Sequence, residues 1–306
     1  MLRFIAWRLL AALPTLAVII TLAFFLLHAA PGGPFDADKT MVPEIRTVIE
    51  ARYHLDEPVA LQYLRYVGGI VRGDFGPSFQ YQNTSVNELI AQGLPIDLTI
   101  GTLALLLALL LGVPLGMVAA LRRNSLADRA CTALALLGLS LPVYVTAPLL
   151  ILLFAVTLHW LPAGDWGEGA WRNLVLPVVA LSLPYVAYIA RLLRASLLEV
   201  LQAPYIRTAW AKGLSGSQVL WRHALRPALL PVVAFLGPAS VGLITGSIAI
   251  ETSFGLPGLG RYFVDGAFNR DYTLVMGVTI LYGVLIVLAN LAADLLQAWL
   301  DPKVRL

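Results

Sequence analysis

Long apolar stretches separated by polar connections run through this chain from one end to the other. Six of the stretches are long enough to cross a bilayer as helices, each of which takes about 20 mainly apolar residues. None of them alternates apolar and polar residues as a barrel strand does. The pattern therefore predicts an all-α polytopic membrane protein, a single transmembrane domain over residues 1–306, with spans near residues 9–30, 98–121, 132–158, 173–193, 228–250 and 273–298.

The first apolar stretch shares two features with a secretory signal peptide. Arg3 and Arg8 precede it, and Ala29-Ala30-Pro31 follows it. The apolar core of a signal peptide is only about 7–15 residues long. The stretch over residues 9–27 is longer, so we expect an uncleaved first transmembrane helix.

The composition of the chain agrees with lipid as its main solvent. Of the 306 residues, 59% are hydrophobic and 13% are charged, whereas a soluble domain carries about a quarter charged residues. Cys131 is the only cysteine, and the four histidines are far apart in the sequence. The sequence therefore predicts neither an internal disulfide nor a metal site.

Basic residues are concentrated in one set of connections. The N-terminus, residues 122–129, residues 191–226 and the C-terminus together hold 13 of the 21 Lys and Arg residues and three acidic residues. The other set holds eight basic and fourteen acidic residues. Because Lys and Arg are enriched in cytoplasmic loops, the first set and both termini are predicted to be cytoplasmic.

Two connections are long enough to contain structure of their own. Residues 36–97 are predicted to form an external cap, with one short helix after Pro43 and another after Pro58. Residues 194–226 are predicted to form a basic cytoplasmic loop with two short helices, the first ending near Gly213. The periodicity alone leaves open whether this loop lies on the membrane surface or docks another protein.

The chain carries no recognisable enzymatic machinery. It has no GxxxxGK[ST] phosphate loop, no HExxH motif and no GxSxG motif. Active transport would therefore need energy from a partner or from an ion gradient. An ion-driven carrier keeps ionisable residues within its spans. Asp294 is the one candidate here, and the preferred interpretation of it is snorkelling or an interhelical hydrogen bond.

The 194–226 connection contains the most distinctive motif of the chain. Its sequence includes Tyr205-Ile-Arg-Thr-Ala-Trp-Ala-Lys-Gly213, followed by Arg222-His-Ala-Leu-Arg-Pro-Ala-Leu-Leu-Pro231. These segments resemble the EAA loop of ABC importer permeases in its peptide-permease form. The first three places of the motif and its glycine are taken by Arg207, Thr208, Ala209 and Gly213, whereas Pro227 comes one residue late and Trp210 stands where an arginine is usual.

Shorter motifs extend the resemblance along nearly the whole chain. They are Ala30-Pro31-Gly32, Leu55-Asp-Glu-Pro58, Gly73-Asp-Phe-Gly76, Glu251-Thr-Ser-Phe-Gly-Leu-Pro-Gly-Leu-Gly260, Asn269-Arg-Asp-Tyr272 and Asp301-Pro-Lys-Val-Arg305. In this order they resemble the B-type membrane subunit of oligopeptide transporters, within the oligopeptide/dipeptide family of ABC importer permeases. The resemblance implies the type I ABC importer permease fold.

The resemblance also implies a heteromeric complex in the bacterial cytoplasmic (inner) membrane. A second homologous permease subunit would complete the pathway for oligopeptides, two cytoplasmic ATP-binding subunits would bind ATP and magnesium, and an extracytoplasmic peptide-binding protein would deliver substrate. This chain would itself hold no cofactor, catalyse no reaction and bind no nucleic acid. Its EAA-like loop would couple to an ATPase subunit, and the candidate coupling residues are Arg207, Thr208, Ala209, Lys212 and Gly213.

Two other functions are compatible with a polytopic membrane protein. A secondary carrier or channel would need buried ionisable residues or a polar stripe along a pore, which are scarce here. A membrane scaffold would leave the proline-containing spans and the EAA-like loop unexplained. Within the importer family, relatives that carry dipeptides, cell-wall peptides or nickel share most of these motifs, so the substrate class stays open among them, with oligopeptides preferred.

Overall fold

A computed structural model describes residues 2–30, 47, 51, 54–245 and 248–300, and these residues are mostly helical. Extended pairing in this part of the chain is confined to one isolated bridge between Pro77 and Ser85. The all-α architecture predicted from the apolar pattern is therefore confirmed. The helix expected after Pro43 falls almost entirely outside the described residues.

The helices are numbered here in chain order over the described residues. They are α1 (Leu2–Ala29), α2 (Val59–Val71), α3 (Val86–Leu121), α4 (Leu126–Ser140), α5 (Val143–Leu150), α6 (Trp171–Leu201), α7 (Pro204–Ala211), α8 (Gly216–Val219), α9 (Leu225–Thr245), α10 (Ile248–Phe254), α11 (Leu259–Phe268) and α12 (Tyr272–Leu300). Two π-helical segments are also present: Ile151–Thr157 continues α5, and Leu220–Ala224 joins α8 to α9.

Five helical segments of the described chain are long and apolar enough to cross a membrane. They are Phe4–Ala29, Val86–Leu121, Trp171–Leu201, Gly216–Phe254 and Tyr272–Leu300. A sixth candidate is the pair Leu126–Ser140 and Val143–Thr157, whose two parts meet at 104°. When the bent pair is counted as one span, the number equals the six predicted from the sequence.

The bend between α4 and α5 lies at Leu141 and Pro142. A proline ring disfavours helical backbone at the preceding residue, and Leu141 accordingly has φ −88° and ψ 116°. Pro142 is also extended, with ψ 145°. The apolar stretch near residues 132–158 consequently forms two helices at a sharp angle.

The described residues divide into two compact units. The first comprises those of Met1–Arg8, Ile96–Leu256 and Leu285–Leu306, and the second comprises those of Leu9–Pro95 and Pro257–Val284. Helices α1, α3 and α12 contribute residues to both units. Helices α4 to α10 belong wholly to the first unit, and α2 and α11 belong wholly to the second.

In the first unit, glycines allow α3 and α4 to pack closely on α6. A Cβ atom on Gly116 of α3 would lie 2.5 Å from the carbonyl oxygen of Ala190. A Cβ atom on Gly138 of α4 would lie 3.2 Å from the carbonyl oxygen of Leu183. Small residues let the backbones of apolar helices approach each other, so these two glycines set the distance of α3 and α4 from α6.

In the second unit, one buried carboxylate holds the loop that precedes α3. Asp271 is fully buried and accepts hydrogen bonds from the Ser78 hydroxyl and from the N–H groups of Phe79 and Gln80, the latter two at 3.1 Å. Its other oxygen accepts the N–H of Leu274 at 3.1 Å. Asp271 is therefore the N-cap of α12 and the anchor of the loop at the same time.

Candidate coupling surface

The five candidate coupling residues lie on α7 and its C-terminal cap. Helix α7 follows α6 after a link of two residues, 202–203. Pro204 takes the first helical position, where its missing N–H breaks no hydrogen bond and its fixed φ suits the helix. The Thr208 hydroxyl donates to the Pro204 carbonyl at 3.2 Å, which ties the end of α7 to its beginning.

Gly213 ends α7 in a Schellman motif. Its N–H donates to the Trp210 carbonyl at 2.9 Å, and the N–H of Leu214 donates to the Ala209 carbonyl at 3.3 Å. These are the two bonds that define the motif. The φ of Gly213 is +79°, and a Cβ atom there would meet no heavy atom within 4 Å. Glycine is therefore required by the backbone conformation and not by space.

One face of α7 is buried against other helices of the first unit. Ile206 and Ala209 are 0% and 6% exposed. They belong to the same apolar cluster as Leu197 of α6, Val219 of α8 and Ala120 of α3. The side chain of Ala209, one of the five candidates, therefore packs inward, where it fixes α7 and is not accessible to another protein.

The other face of α7 and its C-terminal cap carry the remaining four candidates. Arg207, Thr208, Lys212 and Gly213 are all exposed. Over the described residues, neither Arg207 nor Lys212 forms an ion pair with a carboxylate. The exposed surface of α7 and its cap is therefore cationic.

Two exposed aromatic side chains extend this surface beyond the predicted candidates. Trp210 is 50% exposed and Tyr205 is 47% exposed. Tryptophan and tyrosine are enriched among the residues that dominate binding energy at protein interfaces. Trp210 stands where the family motif usually has an arginine, and this departure is the sequence signal that could have identified it.

The chain enters the next helix directly after the cap of α7. The Ser215 hydroxyl accepts the N–H of Gln218 at 3.4 Å, and the Gln218 side chain accepts the N–H of Ser215 at 3.0 Å. This reciprocal capping box starts α8, which continues through the π-helical segment Leu220–Ala224 into α9. The predicted 194–226 loop is therefore almost entirely helical, and α7 is joined at both ends to long helices.

A two-point ion pair between α4 and α6 was not predicted from the sequence. Arg194 donates through Nε to Oδ1 of Asp128 at 2.6 Å and through Nη2 to Oδ2 at 2.9 Å. Asp128 is buried in the first turn of α4. A signal for it was present, because Asp128 is one of only three acidic residues in the predicted cytoplasmic connections.

Asp294, the acidic residue late in the last span, is paired. Nη2 of Arg8 in α1 lies 2.6 Å from Oδ2 of Asp294 in α12, and the two side chains are 52% and 27% exposed. The sequence favours snorkelling or an interhelical hydrogen bond for this residue, and the contact found is an ion pair between two helices. The pair neutralises the charge of Asp294 with a cation from the first helix, which is how acidic residues in spans are commonly accommodated.

Two family models match the chain and together cover most of it. The model described as "Binding-protein-dependent transport system inner membrane component" matches residues 112–306. The model described as "Binding-prot-dependent transport system membrane comp, N-term" matches residues 1–101. Helix α7 and its chain neighbours α6 and α8 lie within the first of these matches.

Curated relatives match the chain over its full length. The oligopeptide transport system permease protein OppB of Escherichia coli (strain K12) is 51% identical over 305 residues, covering 100% of both chains. OppB of Haemophilus influenzae is 52% identical over 305 residues with the same coverage. The dipeptide transport system permease protein DppB of Bacillus subtilis is 42% identical over 306 residues, covering 100% of this chain and 99% of its own.

Solved structures share the fold. A chain of the inward-facing MetNI methionine ABC transporter aligns with a TM-score of 0.56 at 20% identity, over 70% of this chain and 96% of its own. A chain of an amino acid ABC transporter with histidines aligns with a TM-score of 0.53 at 19% identity, over 70% and 94%. The predicted type I ABC importer permease fold is confirmed by these alignments. With a family model over more than half of its length and curated relatives over all of it, this chain belongs to the binding-protein-dependent transport system inner membrane components.

Proposed function

We propose that this chain is the membrane-spanning permease subunit of an ATP-driven oligopeptide importer in the bacterial cytoplasmic membrane. The observation that carries this proposal is the 51–52% identity to two OppB proteins over their entire lengths. The distribution of Lys and Arg supports a topology in which both termini and α7 face the cytoplasm.

In this proposal, α7 is the helix that an ATPase subunit binds. Its exposed face offers Arg207 and Lys212 as charges, Trp210 as an apolar anchor, and Gly213 as the residue that ends the helix. The chain has no phosphate-binding loop of its own. ATP and Mg²⁺ are therefore assigned to two partner ATPase subunits, and this chain is assigned the role of converting their motion into transport.

The construction of α7 suits it to act as a lever. It is eight residues long, its buried face is fixed by Ile206 and Ala209, and short caps connect it to α6 and α8. A displacement of α7 by an ATPase subunit is therefore transmitted to α6 and α9. Rocking of these helices would alternate the pathway between inward-open and outward-open arrangements.

Two further partners belong to the proposed complex. A second, homologous permease would form the other half of the pathway, and an extracytoplasmic peptide-binding protein would deliver the substrate. Large apolar side chains stay exposed on the spans, for example Leu26 at 68% and Leu110 at 70%. Exposed apolar surface of this kind is covered by lipid or by another transmembrane subunit.

The first test is the composition and the energy source of the complex. The tagged chain is extracted gently from the membranes of its own host, and co-purifying proteins are identified by mass spectrometry. The complex is then reconstituted with its binding protein, and uptake of a labelled oligopeptide is measured with Mg-ATP or with a proton gradient. We expect two ATPases, a second permease and ATP-dependent uptake. A chain that purifies alone and takes up peptide with a proton gradient would instead be a secondary carrier.

Dipeptide import is the second candidate for the same complex. It is supported by the DppB proteins of Bacillus subtilis and Lactococcus lactis, which are 42% and 39% identical to this chain. The higher identity to OppB favours longer peptides. Uptake of a labelled oligopeptide in the same proteoliposomes is measured while unlabelled dipeptide is added, from an equimolar concentration to an excess. Loss of uptake at an equimolar dipeptide concentration would favour the dipeptide reading.

A further inference from the structure

The ion pair between Arg194 and Asp128 fixes two helices at one point in both distance and orientation. The planar guanidinium meets the carboxylate through two parallel bonds of 2.6 Å and 2.9 Å. Such a fork is more directional than a single contact, because both partners must lie in one plane. The side chain of Asp128 is only 6% exposed and that of Arg194 is 30% exposed, so solvent screens the pair weakly.

Asp128 also organises the turn between α3 and α4. The N–H of Asn124 donates to Oδ2 of Asp128 at 2.9 Å, and Asn124 has a φ of +64°. The N–H of Asp128 donates to the hydroxyl of Ser125, the N-cap of α4, at 3.3 Å. Asp128 therefore ties together the turn after α3, the start of α4 and the side of α6.

A second contact holds α4 and α6 together further along. Gly138 lies ten residues after Asp128, which is about 15 Å along a helix, and packs on Leu183 and Ala187 of α6. Compared with the ion pair, this contact lies later along α4 and earlier along α6, so the two helices are antiparallel. Two separate contacts, one ionic and one steric, prevent α4 from pivoting on α6.

The fixed pair of helices leads directly into α7. Leu193 and Leu197, which flank Arg194 on α6, are fully buried in the cluster that contains Ile206 and Ala209 of α7. Helix α6 and α7 therefore share one packed core. The ion pair adds α4 to this body, and α4 leads through the 104° bend into α5.

Given the importer function proposed above, we propose that Arg194 and Asp128 are positioning residues that make α4 move together with α7 when the ATPase acts. Without the pair, a displacement of α7 and α6 would reach α4 only through the contact at Gly138 and the surrounding apolar packing. Part of the motion would then be lost before it reached the bent α4–α5 pair, and ATP would be hydrolysed with less transport.

The first experiment measures the number of peptides transported per ATP hydrolysed by the complete complex in proteoliposomes. Asp128→Asn keeps the size but removes the charge, and Arg194→Lys keeps the charge but removes the fork. We expect both to lower transport per ATP by about five- to tenfold, the lower range for coupling between two sites. Basal ATP hydrolysis should stay unchanged, a separation that simple loss of folded complex would not give.

Matched controls exist on the same two helices. Arg129 of α4 and Arg191 of α6 are exposed and form no ion pair over the described residues. Complexes with Arg129→Gln or Arg191→Gln should transport as many peptides per ATP as the unmodified complex does. The exchange Asp128→Arg with Arg194→Asp should recover part of the coupling. Normal coupling in Asp128→Asn overturns the proposal, whereas an unmodified complex that transports nothing with ATP overturns the importer function instead.

A second measurement tests directly whether α4 and α7 move as one body while the ion pair is intact. Cys131 is replaced by serine, and spin labels are attached at Arg129→Cys in α4 and Gln202→Cys, just before α7. We expect the same distance peak in the nucleotide-free and ATP-bound complex, because the two positions belong to one rigid body. A shift of the peak between the two states overturns the proposal. Adding Asp128→Asn should broaden the ATP-bound distribution.

Discussion

The hydroxyl of Ser78 donates a hydrogen bond to the carboxylate of Asp271 across 193 positions of sequence. The hydroxyl of Thr273 donates in the other direction, to the carbonyl of Pro77, at 2.6 Å. The motifs Gly73-Asp-Phe-Gly76 and Asn269-Arg-Asp-Tyr272 are separate features of the family resemblance, and these contacts join the second motif to the residues that directly follow the first. One buried carboxylate starts α12 and holds the loop that leads into α3.

Replacing Asp271 by alanine is expected to destabilise the second unit by about 3 kcal/mol, because the buried Ser78 hydroxyl, the partly buried N–H groups of Phe79 and Gln80 and the first turn of α12 lose this acceptor. The measurement is the melting temperature of the purified protein in detergent. Asp265→Ala is the control, because the side chain of Asp265 on α11 is 43% exposed and its Oδ2 lies 3.7 Å from Nε of Arg261. Equal melting temperatures for the two variants would contradict the anchoring role.

Features that depend on local sequence could be predicted. The number of spans follows from the length of the apolar stretches, and the end of α7 follows from Gly213, because only glycine adopts a positive φ without strain. The contact between Arg194 and Asp128 could not be predicted, because the residues are 66 positions apart. The inward orientation of Ala209 likewise depends on which face of α7 meets α3 and α6.

Two nearly identical segments that end in proline also show that local sequence does not determine the backbone by itself. Leu139-Ser-Leu-Pro142 ends α4, whereas α6 continues as a helix through Leu181-Ser-Leu-Pro184. Leu181 is 3% exposed, whereas Leu139, the corresponding leucine of the first segment, is 36% exposed. Packing on neighbouring helices keeps α6 helical against the local preference of proline, and a local pattern does not contain those neighbours.

Replacing Gly213 by valine is expected to abolish uptake of peptide substrate, while the chain is still inserted into the membrane. A β-branched residue strongly resists the φ of +79°, so the Schellman cap is lost and α7 changes direction. Gly216→Ala is the control, because this glycine lies in α8 and its φ is not positive. Uptake and the amount of chain in the membrane are measured in parallel, and normal uptake by Gly213→Val would exclude a coupling role for the cap.

Reversing the charge of Lys212 is expected to slow docking of the ATPase subunits at low salt, because exposed interface charges mainly steer association. Lys212→Glu should lower the association rate about tenfold in low salt, and the deficit should shrink as ionic strength rises. Binding of the purified ATPase to the permease in nanodiscs provides the rate. Arg72→Glu reverses an exposed charge in the second unit, directly after α2. It should leave the association rate unchanged at every salt concentration.

Variants of the ion pair between Arg8 and Asp294 distinguish an ATP-driven importer from an ion-driven carrier. If the pair only joins α1 to α12, Asp294→Asn should cost about 1 kcal/mol of stability, as partly exposed pairs do, and ATP-driven uptake should persist. The exchange Arg8→Asp with Asp294→Arg should restore the melting temperature. A carrier would need the carboxylate at position 294 itself to bind its ion, so both the asparagine variant and the exchange would stop gradient-driven uptake. Uptake in proteoliposomes with ATP alone, and then with a gradient alone, therefore assigns Asp294 to helix packing or to ion coupling.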